Sequence, residues 1–243
     1  MDLNGKVVLV TGAGRRVGRA LVLAFAERGA SVAVHYLTSS PDADSVVAQI
    51  ATSGGVARAF RADLASVVEI ERLVSDIIAS FGRLDVLVNS ASVFYRKPID
   101  EVTEKDWDLN LDINLKAPFF LAKLSAPAMR AQGAGKIINI GDWAGIRPYN
   151  NYLPYTVSKS GLVGLTRALA KALAPNIQVN CVALGPVLAP EEYDKEAIAR
   201  MAAATLVKKM GTPADVVNAV MYLCATDFAT GSTIVLDGGR LIA

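Results

Sequence analysis

The chain has 243 residues, 52% hydrophobic and 20% charged, with a formal net charge of +2. A chain of this length and apolarity fills a sizeable core and fits one large α/β domain or two small ones. Its Lys and Arg are scattered among Asp and Glu, which excludes the clustered basic surface of a nucleic-acid binder.

The opening MDLNGKVVLV carries only the short apolar run VVLV and predicts no signal peptide. KVVLVT (6–11) reads as the first strand, followed by a Gly-rich turn and a helix over 16–28. SVAVHY (31–36), VARAFRA (56–62) and LDVLVN (84–89) read as strands, with a helix over 67–81 between the last two. A long helical pattern over 104–129 leads to GKIINI (135–140). A helix over 155–173 then leads to IQVNCV (177–182), and TIVLD (233–237) closes the series. Near-continuous Val and Ile runs suit strands covered on both faces. Their alternation with helices implies right-handed crossovers. The expected fold is a single doubly wound, Rossmann-type α/β domain over 1–243: a parallel seven-stranded sheet with helices on both faces. Ligands are expected at the C-terminal strand ends. Pro175, Asn176, Asn180 and Pro186 interrupt the uncharged stretch 172–190, so no membrane helix is predicted. Cys181 and Cys224 form no CxxC pair, which fits buried thiols in a soluble, cytoplasmic protein.

VTGAGRRVG (10–18) joins the first strand to the first long helix. Glycines there let the backbone approach a ligand, and free N–H groups at the helix start attract phosphate. Expected cofactor contacts in this turn are Gly12, Arg15, Arg16, Val17 and Gly18. A site for NADH usually has an acid at the end of the second strand to bind the ribose hydroxyls. Between Glu27 and Asp42 there is none; the strand ends HYLTSS instead, offering His35, Tyr36 and Ser39. Arginines and hydroxyls suit a 2′-phosphate, so NADPH is the expected cofactor. His35, the only histidine, is expected half in solvent, and its position rules out a His-based triad beside Tyr155. Asp63 and Leu64 end the third strand where adenine would lie. Asn89 and Ala91 of NSAS (89–92) end the fourth.

Tyr155 and Lys159 stand at i and i+4 and share one helix face. An ammonium beside a tyrosine favours the phenolate and brings the phenol towards a working pH, as a proton donor requires. Asp142 stands before them, at the end of the fifth strand. An ionised carboxylate cannot donate to a ketone oxygen and repels the alkoxide that forms there. It suits a substrate that presents N–H groups or takes a proton on a ring nitrogen.

TGAGRRVG, the Asp63-Leu64 pair, NSAS, Asn114 in LDINLKAP, YTVSK (155–159), VNCVALGPV (179–187) and LDGG (236–239) together resemble the short-chain dehydrogenase/reductase family over nearly the full chain. The resemblance implies hydride transfer with a nicotinamide cofactor. Tyr155 would be the proton donor and Lys159 would bind the nicotinamide ribose. Asn114 would hold a relay water, with Gly185 and Val187 beside the nicotinamide. Asp142 in place of the usual Ser, Arg16 in place of the usual Gly, HYLTS, and SASVF (90–94) are similar to the pteridine reductase branch. Thr38, Ser90 and Leu184 depart from the pattern. In that branch Phe94 would stack on a pterin, and Arg16, Ser92, Asp142, Tyr152 and Tyr155 would meet the substrate. The implied reaction takes a dihydropterin or dihydrofolate to its tetrahydro form. Reduction of a general carbonyl or 3-oxoacyl thioester is the alternative, and a non-catalytic nucleotide sensor a further one. The segment 188–209, read as one short helix with EEYDKEAIARM, would set substrate choice. The helices over 104–129 and 155–173 are apolar on more than one side, and the resemblance implies that they build a homotetramer.

Overall fold

The computed structural model describes residues 1–189 and 193–243. β1 (Val7–Val10), β2 (Ser31–Tyr36), β3 (Val56–Arg61), β4 (Val86–Asn89), β5 (Gly135–Asp142), β6 (Ile177–Leu184) and β7 (Thr233–Leu236) form one sheet. Its order is β3-β2-β1-β4-β5-β6-β7, and every pairing is parallel. This is the doubly wound, seven-stranded architecture that the alternation predicts. The strand order reverses between β1 and β4, and such a reversal opens a crevice at the strands' C-terminal ends.

β1 shows how both sheet faces are covered. Val8 and Val10 pack into one core with α1 (Arg16–Ala26), α2 (Ser40–Thr52) and α8 (Pro213–Ala225). Val7 and Leu9 pack into the other, with α3 (Val67–Phe81), α5 (Ala117–Ala131) and α6 (Leu153–Leu173). Each such side chain contributes roughly 1.5–3 kcal/mol on burial, so the two apolar layers fix the sheet and aim its C-terminal ends at one crevice.

The helical pattern over 104–129 is not one helix. The chain forms α4 (Glu104–Leu111), a π turn at Asp112–Lys116, and then α5. Pro118 in the first turn of α5 has no N–H for the Asn114 carbonyl four residues back, so a regular helix cannot run through this point. Such widened turns recur at functional sites, and this one carries Asn114. The short helix expected in 188–209 is α7 (Lys195–Ala203), while Pro190, Glu191 and Glu192 of that segment lie outside the described residues. Cys181 and Cys224 are free and buried, and burial pushes their thiols up to about 11 and about 12. Among the described residues no helix is long and apolar enough to cross a membrane.

Candidate active site

A cleft of about 1460 Å³ opens at the C-terminal end of the sheet. Its inner wall is the turn after β1. Gly12 has φ 64°, and a Cβ there would lie 3.0 Å from the Ala91 Cα. A Cβ on Gly18 would lie 2.3 Å from the Gly12 carbonyl oxygen. Both positions therefore require glycine for space. Thr11 Oγ1 accepts from the N–H groups of Ser90 (2.9 Å) and Ala91 (3.0 Å), tying the ends of β1 and β4 together behind the turn.

His35 is not half in solvent: it is 2% exposed. Its Nδ1 accepts from the Gly12 N–H at 3.1 Å, which leaves the proton on Nε2 to donate to the Ala62 carbonyl at 3.1 Å. It thus braces the turn from beneath, although its edge still reaches the cleft. Burial pushes its pKa down to about 4 from 6.5. The folded protein keeps it neutral while the unfolded chain protonates. Its contribution is therefore complete above pH 6.5 and is lost as pH falls towards 4. Thermal or urea unfolding should show a loss of about 3 kcal/mol across that window, largely removed in His35→Gln.

The two cradle arginines are both engaged. Arg15 Nε makes an ion pair with Asp42, an acid that the fold carries in from the first turn of α2. Arg16 has φ 51°, a left-handed conformation that costs a side-chain-bearing residue about 1 kcal/mol. Its Nη2 donates to the carbonyls of Leu188 (2.9 Å) and Ala189 (3.1 Å), across the cleft from the cradle. Arg16 thereby clamps the segment after β6 while also lining the cleft. A smaller basin of about 330 Å³, lined by Gly14, Arg15, Arg16, Arg19, Asp42 and Ser45, adjoins the cleft.

Val17, Gly18, Asp63, Leu64, Ala91, Gly185 and Val187 all line the cleft. Asp63 Oδ1 accepts from the Ala65 N–H at 2.9 Å and shapes the turn after β3. Tyr36 and Ser39 do not line it: Tyr36 packs against the core, and Ser39 precedes α2. Asn89 is buried, its Nδ2 donating to Asn139 Oδ1 at 2.8 Å, and it supports the wall from behind.

At the far end β5 runs on to Asp142, beside the first turn of α6. The Tyr155 hydroxyl donates to Asp142 Oδ2 at 2.8 Å, and Asp142 Oδ1 accepts from the Ala144 N–H at 2.7 Å. Lys159 is buried, with Nζ donating to the Ile140 carbonyl at 3.0 Å and lying 5.7 Å from the Tyr155 ring centroid. Burial raises the Asp142 carboxyl and lowers the Lys159 ammonium. Burial and the adjacent Asp142 hold Tyr155 well above a tyrosine's ordinary value, so the lowered phenol expected from Lys159 is reversed.

The Asn114 side chain is a clamp. Its Nδ2 donates to the Val93 carbonyl (3.1 Å) and Ser158 Oγ (3.0 Å), and its Oδ1 accepts from the Val93 N–H (2.9 Å) and Ser92 Oγ (3.1 Å). That leaves the carboxamide no capacity for the expected relay water. The clamp places Phe94 beside Tyr152 and Tyr155. Its ring stacks on Tyr152 at 4.4 Å and 10°, meets the Tyr155 ring edge-on at 4.7 Å, and stays 42% exposed.

Sequence reasoning missed Tyr149, Trp143 and Arg240, which also line this end of the cleft. The Trp143 indole N–H donates to the Tyr149 hydroxyl, and the Arg240 guanidinium lies 5.3 Å from the Trp143 ring centroid. Three tyrosines spaced by three, Tyr149, Tyr152 and Tyr155, were the available signal.

A nucleotide-type cradle leading to a Tyr-Lys pair on one helix defines a nicotinamide-dependent oxidoreductase of Rossmann fold. The family model described as enoyl-(acyl carrier protein) reductase matches residues 12–240. A 3-oxoacyl-[acyl-carrier-protein] reductase of Synechocystis is 35% identical over 99% of this chain and 98% of its own. Among solved structures, FolM alternative dihydrofolate reductase 1 from Brucella canis, complexed with NADP, superposes with a TM-score of 0.95 at 32% identity, covering 100% of this chain and 96% of that one. A blue fluorescent protein from a metagenomic library, in complex with NADPH, gives 0.91 at 33% identity over 99% of both chains. The chain belongs to the short-chain dehydrogenase/reductase family.

Proposed function

We propose that the protein uses NADPH to reduce the C=N bond of a dihydropterin or dihydrofolate. The observation that carries this reading is the 2.8 Å hydrogen bond between Tyr155 and Asp142. It sets an acid directly against the phenol, an arrangement suited to delivering a proton to a ring nitrogen. The likeness to NADP-bound FolM supports it, as does the half-exposed Phe94 ring beside the pair.

The glycine-only cradle fits a dinucleotide phosphate. Gly12, Arg15, Val17 and Gly18 would hold the phosphates, Asp63 and Leu64 the adenine end, and Lys159 the nicotinamide ribose. Bound NADPH supplies the hydride to the carbon of the C=N bond. The chain's residues supply the proton. For this the Tyr155 O–H would turn from Asp142 to the ring nitrogen, and Asp142, protonated from solvent, would donate to the Tyr155 oxygen in its place; as the phenol proton moves to the nitrogen the acid's proton follows, leaving Asp142 ionised and Tyr155 neutral. Lys159 stabilises that carboxylate by its charge, and solvent protons restore the acid. The Asn114 main-chain carbonyl, to which Pro118 offers no donor, is the better candidate for a relay water. Ala197, Arg200 and Met201 of α7, which line the cleft, would border the pterin, with Ser92 and Tyr152 at its other edges. Exposed Phe119 on α5 and Val157 on α6 support assembly into a homotetramer.

The test is NADPH oxidation by the purified protein with dihydrobiopterin, dihydrofolate and an acetoacetyl thioester. Turnover of the pterins alone supports the reading. Turnover of the thioester alone overturns it in favour of 3-oxoacyl thioester reduction, the reading that the Synechocystis relative favours. In either case Asp42→Asn should release Arg15 and remove a charge that repels a 2′-phosphate. Fluorescence titration should show NADPH binding roughly three- to tenfold tighter at low salt, and NADH binding unchanged.

A further inference from the structure

Two cations of the cleft have no part in the proton transfer. Arg240 and Arg200 both line it. Arg240 opens the C-terminal turn Arg240–Ile242 and is half-buried. Asp237 holds that turn: its Oδ1 accepts from the Gly239 N–H at 2.8 Å and its Oδ2 from the Leu241 N–H at 2.6 Å. The Arg240 guanidinium lies 5.3 Å from the ring centroid of Trp143, the residue next to Asp142. That cation–π contact fixes its place without neutralising its charge. Among the described residues no carboxylate pairs with it. Arg147, the other guanidinium at that ring (6.0 Å), instead donates to the Ala243 carbonyl at 3.2 Å. Arg200, on α7, has Glu196 one turn back at 3.7 Å, and both side chains stand in solvent, where such a pair is weak. The stretch after α7 is bonded to the turn that bears Arg240, the Leu206 N–H donating to the Gly238 carbonyl at 2.9 Å.

The acids among the described lining residues are Asp63, after β3, and Asp142, whose oxygens are taken by Tyr155 and the Ala144 N–H. Beside the reacting centre the charge left to meet a ligand is therefore positive. A guanidinium not paired with an acid suits a carboxylate, which it can grip through two parallel N–H bonds. We propose that Arg240 is a specificity-determining residue: it receives a carboxylate on the substrate's tail, with Arg200 as the second cation. The pterin taken is then an acidic-tailed dihydrofolate in preference to an uncharged dihydropterin. The inference rests on the pterin-reductase reading for the ring that is reduced, and on Arg240 itself for the tail. A dihydrofolate carries a glutamate beyond its pterin and benzoyl rings, whereas the hydroxyalkyl tail of dihydrobiopterin carries no charge. Both present the same C=N bond, so a difference in their response to a substitution reports on the tail.

Arg240→Gln keeps a polar stem and removes the charge, and a melting curve checks that the fold is kept. In the full-length enzyme with NADPH, the ratio of kcat/KM for dihydrofolate to that for dihydrobiopterin should fall roughly tenfold to a hundredfold, the range for a hydrogen bond to a charged group. The change should lie mainly in KM. Arg240→Lys, which keeps the charge but not the fork, should recover part of the ratio, and Arg200→Gln should lower it by a smaller factor. Added salt should lower it in the parent protein. A role confined to bracing Trp143 would slow both substrates together and leave the ratio in place, which overturns the proposal. A second readout needs no turnover. Calorimetric titration of the NADP⁺-loaded protein should show folate losing far more affinity than biopterin in Arg240→Gln. Equal loss, or none, overturns the Arg240 site whatever the enzyme reduces. A loss specific to folate, in a protein that reduces no pterin, keeps the site and discards the pterin-reductase reading instead.

Discussion

If the protein reduces dihydropterins as proposed, Asp142→Asn should lower that turnover by roughly 10²- to 10⁴-fold, the range for losing a positioned general acid, and leave the NADPH dissociation constant unchanged. The amide matches the carboxyl in shape: its oxygen still accepts from the Ala144 N–H, and its NH2 takes the other place and donates to the Tyr155 oxygen, so the strand end and the first turn of α6 keep their positions. What it lacks is an exchangeable proton of suitable acidity. Tyr155 cannot substitute, because burial alone keeps its phenol above the ordinary value even without the carboxylate. Asp142→Ser should lose pterin turnover to a similar degree and gain reduction of the acetoacetyl thioester, since a neutral hydroxyl can donate to the ketone oxygen. Steady-state kinetics of both variants on both substrates separate the possibilities. Weaker NADPH binding with pterin kcat preserved would make the acid structural and sink the proton-donor assignment.

Asp142 also marks what local sequence signals can reach. The buried strands were legible because parallel strands covered on both faces become unbroken apolar runs, and VVLV and VLVN admit few other readings. The cradle glycines and the Tyr-Lys pair were legible because their chemistry depends on spacing within one turn or one helix. Contacts made across the fold were not. Nothing in the sequence tells that Asp42 comes back to Arg15, or that Arg16 reaches over to the Leu188 carbonyl. The π turn was missed because its flanks keep a helical pattern, and only Pro118 hinted at the break. His35 misled for a related reason. A polar residue at a strand end usually meets water, but here both ring nitrogens are paired inside the fold. The Tyr155 proton affinity was misjudged because a lysine four residues away says nothing of a carboxylate that the neighbouring strand delivers at 2.8 Å.

Gly18→Ala should cost the protein NADPH binding by roughly a hundredfold or more and about 1–3 kcal/mol of stability, the range for an overpacked site. The added methyl would lie 2.3 Å from the Gly12 carbonyl oxygen and 3.0 Å from the Ala13 Cα, both backbone atoms that no side-chain rotation can clear. Neither partner is free to retreat. Gly12 is pinned by its N–H to His35 and by its closeness to Ala91, while α1 is anchored by Leu21, Val22 and Phe25, each 0% exposed. The turn must therefore open, and opening it spreads the N–H groups that a dinucleotide phosphate needs together. Gly82→Ala is the matched control. Gly82 ends α3 at φ 76° with nothing within 4 Å of an added Cβ, so that variant carries only backbone strain of about 1 kcal/mol. Calorimetric titration with NADPH and melting curves on the two variants distinguish close approach from strain. Equal loss of stability with NADPH affinity intact in both would mean that the cradle tolerates a side chain at Gly18, and that phosphate recognition lies elsewhere in the cleft.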